Sequence, residues 1–211
     1  MPYLFKIIIG LIGSYLIGSI PTAYIFGRLY KGIDIRQHGS GNIGATNTFR
    51  IFGKIPGSIV LIIDILKGVV ATSFVAQILG LEHVLVYVLL GIASVIGHNW
   101  TIFLNFKGGK GIATSLGVLI GLTIQEAALR SVLLWTVAVW LLFFLTTGYV
   151  SLSSIIAAVF LPMIMAITSQ PFAVVLLGVI FCIFVVVRHQ PNIKRLLNGQ
   201  EHKVRLPFHK N

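Results

Sequence analysis

Long apolar runs separated by short polar segments constrain this chain more than any other feature of its sequence. Of its 211 residues, 56% are hydrophobic and 10% are charged. A soluble core of this size cannot bury so many apolar side chains, whereas a bilayer takes them up in helices of about 20 residues. The apolar runs are 4–26, 55–79, 84–104, 112–124, 129–147, 152–168 and 172–187. They predict an all-α integral membrane protein with seven transmembrane helices in a single domain, residues 1–211.

Two of these runs differ from the others. Run 112–124 would reach only about 20 Å into a hydrocarbon layer of ~30 Å, so it is predicted as a short, half-buried helix that opens onto the preceding glycine loop. Run 4–26 is too long for the apolar region of a secretory signal and lacks a convincing cleavage site. It is therefore predicted to be retained as the first transmembrane helix.

The basic residues predict the orientation of these helices. With seven spans, segments 27–54, 105–111 and 148–151 lie on the same side of the membrane as the C-terminal tail. That side carries thirteen lysines and arginines, whereas the opposite side carries two, Lys6 and Arg130. Because cytoplasmic segments are enriched in these residues, we expect the N-terminus outside and the C-terminus in the cytoplasm. The formal net charge of +11 also favours anionic lipid, and a nucleic-acid partner is not expected because no soluble domain gathers the charge.

Three polar segments fall on the predicted cytoplasmic side, and the first is residues 38–47. Within it, Gly-Ser-Gly-Asn-Ile-Gly matches the G-x-G-x-x-G pattern, but that pattern indicates a dinucleotide site only between a strand and a helix. The residues favour instead a glycine-rich loop that binds an anion through polar side chains and a nearby arginine. These side chains are Ser40, Thr46, Asn47 and Arg50. A flexible loop without a ligand is the alternative.

The second polar segment, residues 106–114, contains Lys107-Gly-Gly-Lys-Gly111. It lacks the Ser or Thr that follows the lysine of a Walker A loop, which argues against an ATP site. Two lysines on a loop that leads into a short helix favour a phosphate ligand, because the N-terminus of a helix attracts anions. The alternative is that both lysines reach to lipid headgroups, a role that would not need so many glycines.

The third polar segment, residues 188–195, places His189 and Asn192 directly after the last apolar run. A histidine at the membrane surface beside two anion-binding loops is a candidate hydrogen-bond donor or proton acceptor. The serines that open the sixth apolar run lie on the same side, and one of them is predicted to cap that helix. They are Ser151, Ser153 and Ser154.

Two charged residues lie inside an apolar run, where charges are rare. Asp64 and Lys67 are three residues apart, so they share a helix face and are predicted to form an ion pair. Both a functional role and a structural brace within the bundle are consistent with that pair. His98, at the end of the next helix, is predicted to act as a positioning or packing residue.

Together these motifs resemble the bacterial membrane acyl-phosphate:glycerol-3-phosphate acyltransferases, the PlsY family. The resemblance extends from residue 18 to about residue 202 and departs visibly at Thr101, where the family usually has proline. The matching motifs are Gly39–Asn47 with Arg50, Asp64–Gly68, Gly97-His98 leading to Phe106–Thr114, Tyr149–Ser154, and Arg188-His189 with Asn192.

The resemblance implies acyl transfer from acyl phosphate to the 1-hydroxyl of sn-glycerol 3-phosphate, which gives lysophosphatidic acid and phosphate. This is the first step of phospholipid synthesis, at the cytoplasmic face of the bacterial inner membrane, and it implies neither a cofactor nor a metal. The residues that match the catalytic positions of the family are Ser40, Arg50, Lys110, Ser154, His189 and Asn192. The expected substrate-binding residues are Gly39, Gly41, Asn42, Thr46, Asn47, Lys107, Gly108, Gly109 and Gly111.

Three questions stay open at the level of sequence. No histidine is followed five residues later by aspartate, so the general base is either His189 or a phosphate of the substrate, and the resemblance favours the phosphate. The resemblance does not decide whether a soluble acyl-phosphate synthase docks on the cytoplasmic face. A small transporter of phosphate or organophosphate is the competing function, but it would predict inverted repeats, and none is evident.

Overall fold

The computed structural model describes residues 2–204, whereas Met1 and residues 205–211 lie outside the described part. Every regular element among the described residues is helical. The described residues form two compact units, which divide between Glu126 and Ala127. The predicted single domain over residues 1–211 extends beyond the described residues and stays a prediction. Two of the basic residues counted for the orientation, Arg205 and Lys210, also lie outside the described part.

The first unit contains seven α-helices. A π-helical turn, Val70–Phe74, joins α4 to α5, so residues 54–79 form one continuous helical segment. Short 3₁₀ turns lie at Ile35–Gln37 and Ile102–Leu104. The helices are α1 Tyr3–Ser19, α2 Thr22–Lys31, α3 Ala45–Phe52, α4 Lys54–Val69, α5 Val75–Leu79, α6 Val84–Asn99 and α7 Ile112–Gln125.

Among its described residues, the second unit contains four α-helices, preceded by a 3₁₀ turn at Ala127–Leu129. Gly148 ends the first of them in the left-handed conformation, with φ of 75°, and allows the chain to reverse into the next. The last two helices meet at an angle of 61°. The helices are α8 Arg130–Thr147, α9 Val150–Ile167, α10 Phe172–Arg188 and α11 Gln190–Leu197.

Most of the predicted spans are long and apolar enough to cross a membrane. By length and composition, five segments qualify, and α10 with α11 makes a sixth if the bent pair is one span. The remaining predicted span, 112–124, corresponds to α7, which has 14 residues and falls short of that length. The five segments are Tyr3–Lys31, Lys54–Leu79, Val84–Leu104, Ala127–Thr147 and Val150–Ile167. The chain is therefore an all-helical membrane protein with five or six candidate spans among its described residues.

The first predicted span, 4–26, is not one continuous helix, which corrects the sequence analysis. The helix α1 ends at Ser19, and α2 begins at Thr22. Between them Ile20 has φ of −55° and ψ of 113°, outside the helical region. The cause is Pro21, because proline has no N–H to donate and its ring disfavours helical geometry in the residue before it.

The buried ion pair predicted between Asp64 and Lys67 is confirmed, and it lies against this break. Lys67 Nζ is 2.8 Å from Asp64 Oδ1, and both side chains are almost fully buried. Lys67 Nζ also donates to the carbonyl of Ile20 at 3.1 Å, while Thr22 Oγ1 donates to Asp64 Oδ1 at 3.0 Å. Thr101 Oγ1 donates to the neighbouring carbonyl of Ser19 at 2.5 Å. The break between α1 and α2 is thus satisfied by side chains from other helices and loops.

Glycines allow the helices of the first unit to pack closely. A Cβ on Gly18 would overlap the Ser94 backbone of α6, and a Cβ on Gly117 would overlap the Ile65 backbone of α4. Close approach of this kind favours van der Waals packing between membrane helices, where lipid offers no hydrophobic drive for association. It sets α1 beside α6 and α4 beside α7.

One apolar cluster places both glycine-rich segments of the first unit at the same end. The cluster contains Ile43, from the first polar segment, and Leu104, which directly precedes the second. Its other buried members are Ala23 from α2, Ile35 from the first 3₁₀ turn and Val60 from α4. Because burial of such side chains resists separation, the two loops start from a common support.

Candidate functional site

The loop of residues 38–47 is closed by the side chain of Asn47. Asn47 is only 1% exposed, and its Oδ1 accepts the N–H of Ser40 at 2.9 Å. Its Nδ2 donates to the carbonyls of His38 and Asn42, both at 3.0 Å. Sequence reasoning predicted that Asn47 would hold an anion, but in this structure the buried amide supports the loop itself.

The glycines of this loop have a conformational role. Gly39 and Gly41 have φ of 61° and 69°, in the left-handed region that other residues rarely adopt. A Cβ on Gly39 would also overlap the side chain of Asn47. Gly44 directly precedes the first residue of α3. The half-buried Asn42 accepts the hydrogen bond from Asn47 Nδ2 through its backbone carbonyl. These glycines and the amide of Asn47 therefore define the backbone path of the loop.

Three predicted site residues with polar side chains are exposed here: Ser40 on the loop, and Thr46 and Arg50 on the helix α3. Thr46 and Arg50 are four residues apart on α3 and so lie on the same helix face. Among the described residues, Arg50 makes no ion pair or hydrogen bond. An exposed guanidinium beside two hydroxyl groups is a suitable partner for an anion, because charge-assisted bonds to arginine are strong and directional.

The other arginines near this loop are engaged in its structure. Arg36 Nη2 lies 2.6 Å from Asp34 Oδ2, and Arg28 Nη2 lies 3.4 Å from the same oxygen. The side-chain hydrogen bond from Arg36 lowers the pKa of Asp34 to about 2, against the opposing effect of burial. Arg28 and Arg36 also lie over the ring of Tyr24. Arg50, also exposed, differs from them because its side chain makes no ion pair or hydrogen bond among the described residues.

The loop of residues 105–111 is bonded to the end of α6. The N–H groups of Gly108 and Gly109 donate to the carbonyls of Asn99 and His98, at 3.1 and 3.0 Å. A Cβ on Gly108 would overlap the backbone of both residues, and a Cβ on Gly109 would overlap the ring of His98. Sequence reasoning predicted both glycines as substrate-binding residues, but in this structure their N–H groups bond to the protein. Their absent side chains allow the loop to lie on α6.

The loop presents two lysines at the start of α7. Lys107 is exposed and Lys110 is half-buried. Gly111, with φ of 78°, directly precedes the helix. The first N–H groups of an α-helix have no partner within the helix, so this end of α7 has a partial positive charge. The lysines and the helix N-terminus are groups of the kind that bind phosphate, and the role predicted for this loop stays a prediction.

Two side chains behind this loop were not identified as site residues from sequence. Asn99 is fully buried, and among the described residues neither polar atom of its amide has a hydrogen-bond partner. A Cβ on Gly111 would overlap its Oδ1. Thr101, where the resembling family usually has proline, accepts the N–H of Phe103 at 3.3 Å and so caps the turn after α6. The departure at Thr101 is therefore compatible with the local fold.

In the second unit, Glu201 organises the third polar segment. Its Oε1 accepts hydrogen bonds from Asn192 Nδ2 at 2.6 Å and Ser151 Oγ at 2.8 Å, and its Oε2 accepts one from Arg195 Nε at 2.7 Å. Burial raises the pKa of Glu201, but these three hydrogen bonds outweigh that effect and lower it. Sequence reasoning missed Glu201, although it is the single acidic residue after Glu126.

His189 lies at the bend between α10 and α11 and is only 3% exposed. Its Nδ1 is 2.8 Å from the carbonyl of Val185. A carbonyl can only accept, so Nδ1 carries a proton, and in the neutral ring Nε2 is the basic atom. Asn192 lies three residues further on, in the first turn of α11, with its amide oriented by Glu201.

The serines at the start of α9 do not cap it, which corrects the sequence analysis. Tyr149 occupies the cap position and makes no side-chain cap bond. Ser154 Oγ donates to the carbonyl of Val150 at 2.8 Å and accepts from Trp140 Nε1 at 3.1 Å. Ser153 Oγ likewise donates to the carbonyl of Tyr149 at 2.8 Å. Helical serines commonly bond back to the preceding turn in this way.

The predicted catalytic residues are divided between the two units. Ser40, Arg50 and Lys110 belong to the first unit, where both loops rest on one apolar cluster. Ser154, His189 and Asn192 belong to the second. Among the described residues, no three His, Cys, Asp or Glu side chains are grouped to hold a metal ion.

Comparison with known proteins identifies the family. The sequence profile described as "Glycerol-3-phosphate acyltransferase" matches residues 8–199. The glycerol-3-phosphate acyltransferase 2 of Moorella thermoacetica is 47% identical over 197 residues, covering 93% of this chain and 97% of that protein. The chain belongs to the glycerol-3-phosphate acyltransferase family. Another member, from Halalkalibacterium halodurans, is 44% identical over 197 residues, covering 92% of this chain and 93% of that protein.

Solved structures of the glycerol-3-phosphate acyltransferase family agree with this fold. The crystal structure of PlsY (YgiH), an integral membrane glycerol 3-phosphate acyltransferase in its glycerol 3-phosphate form, has a TM-score of 0.85 and 38% identity. The match covers 94% of this chain and 96% of that chain. The lysophosphatidic acid form has a TM-score of 0.82 and 37% identity, with 94% and 95% covered. The resemblance to the PlsY family predicted from the sequence motifs is confirmed.

The role assigned to Asn47 can be tested by stability. Replacing Asn47 with alanine removes the bonds that close the first loop and leaves buried backbone groups without partners, at a cost of about 1–3 kcal/mol. Thermal unfolding in detergent is therefore expected at a lower Tm for Asn47→Ala. The control Ser40→Ala keeps the backbone bond to Asn47 and should unfold at the wild-type Tm. Equal Tm values for the two variants would contradict this role.

Proposed function

We propose that this chain moves a fatty acyl group from acyl phosphate to the 1-hydroxyl of sn-glycerol 3-phosphate, giving lysophosphatidic acid and phosphate. The observation that carries the proposal is the match along 94% of the chain to a glycerol 3-phosphate acyltransferase structure. The two cationic loops of the first unit support it, since both substrates carry a phosphate. No observation favours the transporter alternative.

Arg50 and Lys110 are proposed to bind phosphate groups. Their positive charges would also stabilise the negative charge that develops on the leaving phosphate. This stabilisation is strongest where water is excluded from the site. Arg50 is supported in this role by its exposure and by its lack of a partner among the described residues. Ser40 and Thr46 are proposed to add hydrogen bonds, and Lys107 to add charge at the second loop.

His189 and Asn192 are proposed to orient the glycerol 3-phosphate. The hydrogen bond to Glu201 supports this role, because it fixes the amide plane of Asn192 before a ligand arrives. The bond from His189 to the Val185 carbonyl fixes its ring in the same way. Ser154, whose hydroxyl proton is engaged by the Val150 carbonyl, is proposed as a positioning group and not as a nucleophile.

The proposed reaction is a direct displacement at the acyl carbon. The 1-hydroxyl oxygen forms a bond to the acyl carbonyl carbon, the bond between that carbon and the phosphate oxygen breaks, and the phosphate leaves with the bonding electrons. The hydroxyl proton goes either to His189 Nε2 or to a phosphate oxygen of the substrate, and we favour the phosphate. Acyl phosphate is already activated, so orientation of the reactants supplies much of the acceleration.

The proposed topology has seven spans, with α7 as the short one, the N-terminus outside and the C-terminus in the cytoplasm. It is supported by the thirteen basic residues on one side against two on the other. The proposed location is the bacterial inner membrane, with the polar segments facing the cytoplasm and residues 1–211 acting as one acyltransferase domain. A soluble acyl-phosphate synthase on that side is the proposed source of the donor.

An assay of the purified protein with alternative donors tests the proposed reaction. With glycerol 3-phosphate as acceptor, acyl phosphate is expected to support turnover, whereas acyl-CoA and acyl carrier protein are not. Lys110→Ala should lose about 100-fold in rate, because it removes a charge from the phosphate site. The control Lys54→Ala removes an exposed lysine at the start of α4 and should keep the wild-type rate. Equal turnover with acyl-CoA, or a wild-type rate in Lys110→Ala, would contradict the proposal.

The general base is tested by His189→Gln. If a substrate phosphate takes the proton, this variant should bind glycerol 3-phosphate more weakly, with a raised KM, and keep measurable turnover at saturation. His202→Gln, at an exposed histidine, is the matched control and should behave as wild type. An unchanged KM with almost no turnover, together with a wild-type rate that falls as pH drops through a histidine-like pKa, would make His189 the base.

A further inference from the structure

The buried pair of Asp64 and Lys67 has no part in the proposed reaction. Both residues lie inside a candidate membrane span, and the side-chain exposures of Asp64 and Lys67 are 2% and 5%. Burying two charges costs several kcal/mol per ion in desolvation, which their mutual attraction offsets only when further bonds satisfy the remaining groups. Charges in such a place are functional candidates by default.

The carboxylate of Asp64 lies among groups from three helices of the first unit, and His98 links it to a fourth. Its Oδ1 accepts from Lys67 Nζ, on the same helix, and from Thr22 Oγ1 on α2. The same oxygen lies 3.9 Å from His98 Nδ1 on α6. His98 Nδ1 is in turn 3.2 Å from Thr114 Oγ1 on α7. The imidazole of His98 thus has one edge directed at Asp64 and Thr114.

The opposite edge of the imidazole faces the second glycine loop. His98 Nε2 packs directly against Gly109, where a Cβ would overlap it. The carbonyl of His98 also accepts the N–H of Gly109 at 3.0 Å. His98 therefore contacts this loop through both its ring and its backbone. Any rotation of the ring would push on Gly109, which directly precedes Lys110.

We propose that Asp64 is a positioning residue for the acyl transfer: paired with Lys67, it holds His98, and His98 holds the loop that presents Lys110 to phosphate. This inference rests on the proposed function, because it concerns the same phosphate site. The charge of Asp64 attracts the Nδ1 edge of the ring and Thr114 bonds to it, so Nε2 stays against Gly109. Without that carboxylate the ring loses the acidic group that lies 3.9 Å from its Nδ1.

A pair of residues that only supported the break between α1 and α2 would not need to be charged. That role needs a donor to the Ile20 carbonyl and an acceptor for Thr22, which neutral amides supply as well as charged groups. The double variant Asp64→Asn/Lys67→Gln keeps both of these possibilities and removes the buried charge. It therefore separates support of the helix break from orientation of His98.

Kinetics with both phosphate-bearing substrates test the proposal. In Asp64→Asn/Lys67→Gln, we expect the KM for glycerol 3-phosphate or acyl phosphate to rise about 10- to 100-fold, because small displacements of a binding group have effects of that size. Inhibition by inorganic phosphate should weaken in parallel. His98→Gln should give the same change, and adding it to the double variant should cause no further rise, since Asp64 acts through His98.

The control is Gln125→Leu, which removes the 2.8 Å bond from Gln125 Nε2 to Ser73 Oγ at the other end of α7. This variant changes a contact between α7 and the π-helical turn, away from the loop. Both KM values should therefore stay unchanged. Wild-type KM values in the double variant and in His98→Gln, with only a lowered Tm, would overturn the inference and reduce the pair to a brace. If the double variant does not fold, His98→Gln alone decides the outcome in the same way. A wild-type protein without acyl transfer would instead refute the proposed function.

Discussion

A membrane helix that breaks must find partners for the carbonyl groups it exposes, because lipid offers none. In the first unit, the break at Ile20 and Pro21 is satisfied chiefly by a buried ion pair on another helix. Lys67 donates to the Ile20 carbonyl and Asp64 accepts from Thr22, so the two charges complete the bonding of α1 and α2 while they neutralise each other. These contacts join α4 to the end of α1 and to the start of α2.

The same pair extends its effect to the second glycine loop. Asp64 faces His98, and His98 packs against Gly109. The two loops that carry Arg50 and Lys110 are thus supported from one apolar cluster and one polar network. In both loops the glycines and Asn47 determine the backbone, while the exposed or half-buried cations are the groups suited to a phosphate. The residues that shape the two loops are thus distinct from Arg50 and Lys110, the cations proposed to bind phosphate.

The features that depend on local sequence pattern could be predicted from the sequence. The apolar runs predicted the helices, and the three-residue spacing of Asp64 and Lys67 predicted their ion pair, because residues three apart share a helix face. Sequence reasoning missed the break at Pro21, although that proline was visible, because the run of apolar residues continues across it. The ligand roles assigned to Asn47, Gly108 and Gly109 stay predictions, and these residues also make hydrogen bonds within the protein that no local pattern indicated. The bonds of Glu201 to Ser151, fifty residues away, depend on tertiary packing that no local pattern reveals.

The central claim is that Asp64 and Lys67 act as one unit that stabilises the broken helix. A double-mutant cycle on thermodynamic stability in detergent, with Asp64→Asn, Lys67→Gln and both together, measures this directly. Each single variant leaves an unpaired buried charge and should lose about 3–5 kcal/mol. The double variant should lose far less than the sum, with a coupling free energy of about 2 kcal/mol or more. Losses that add within about 0.5 kcal/mol would show that the two residues act independently and would contradict the account.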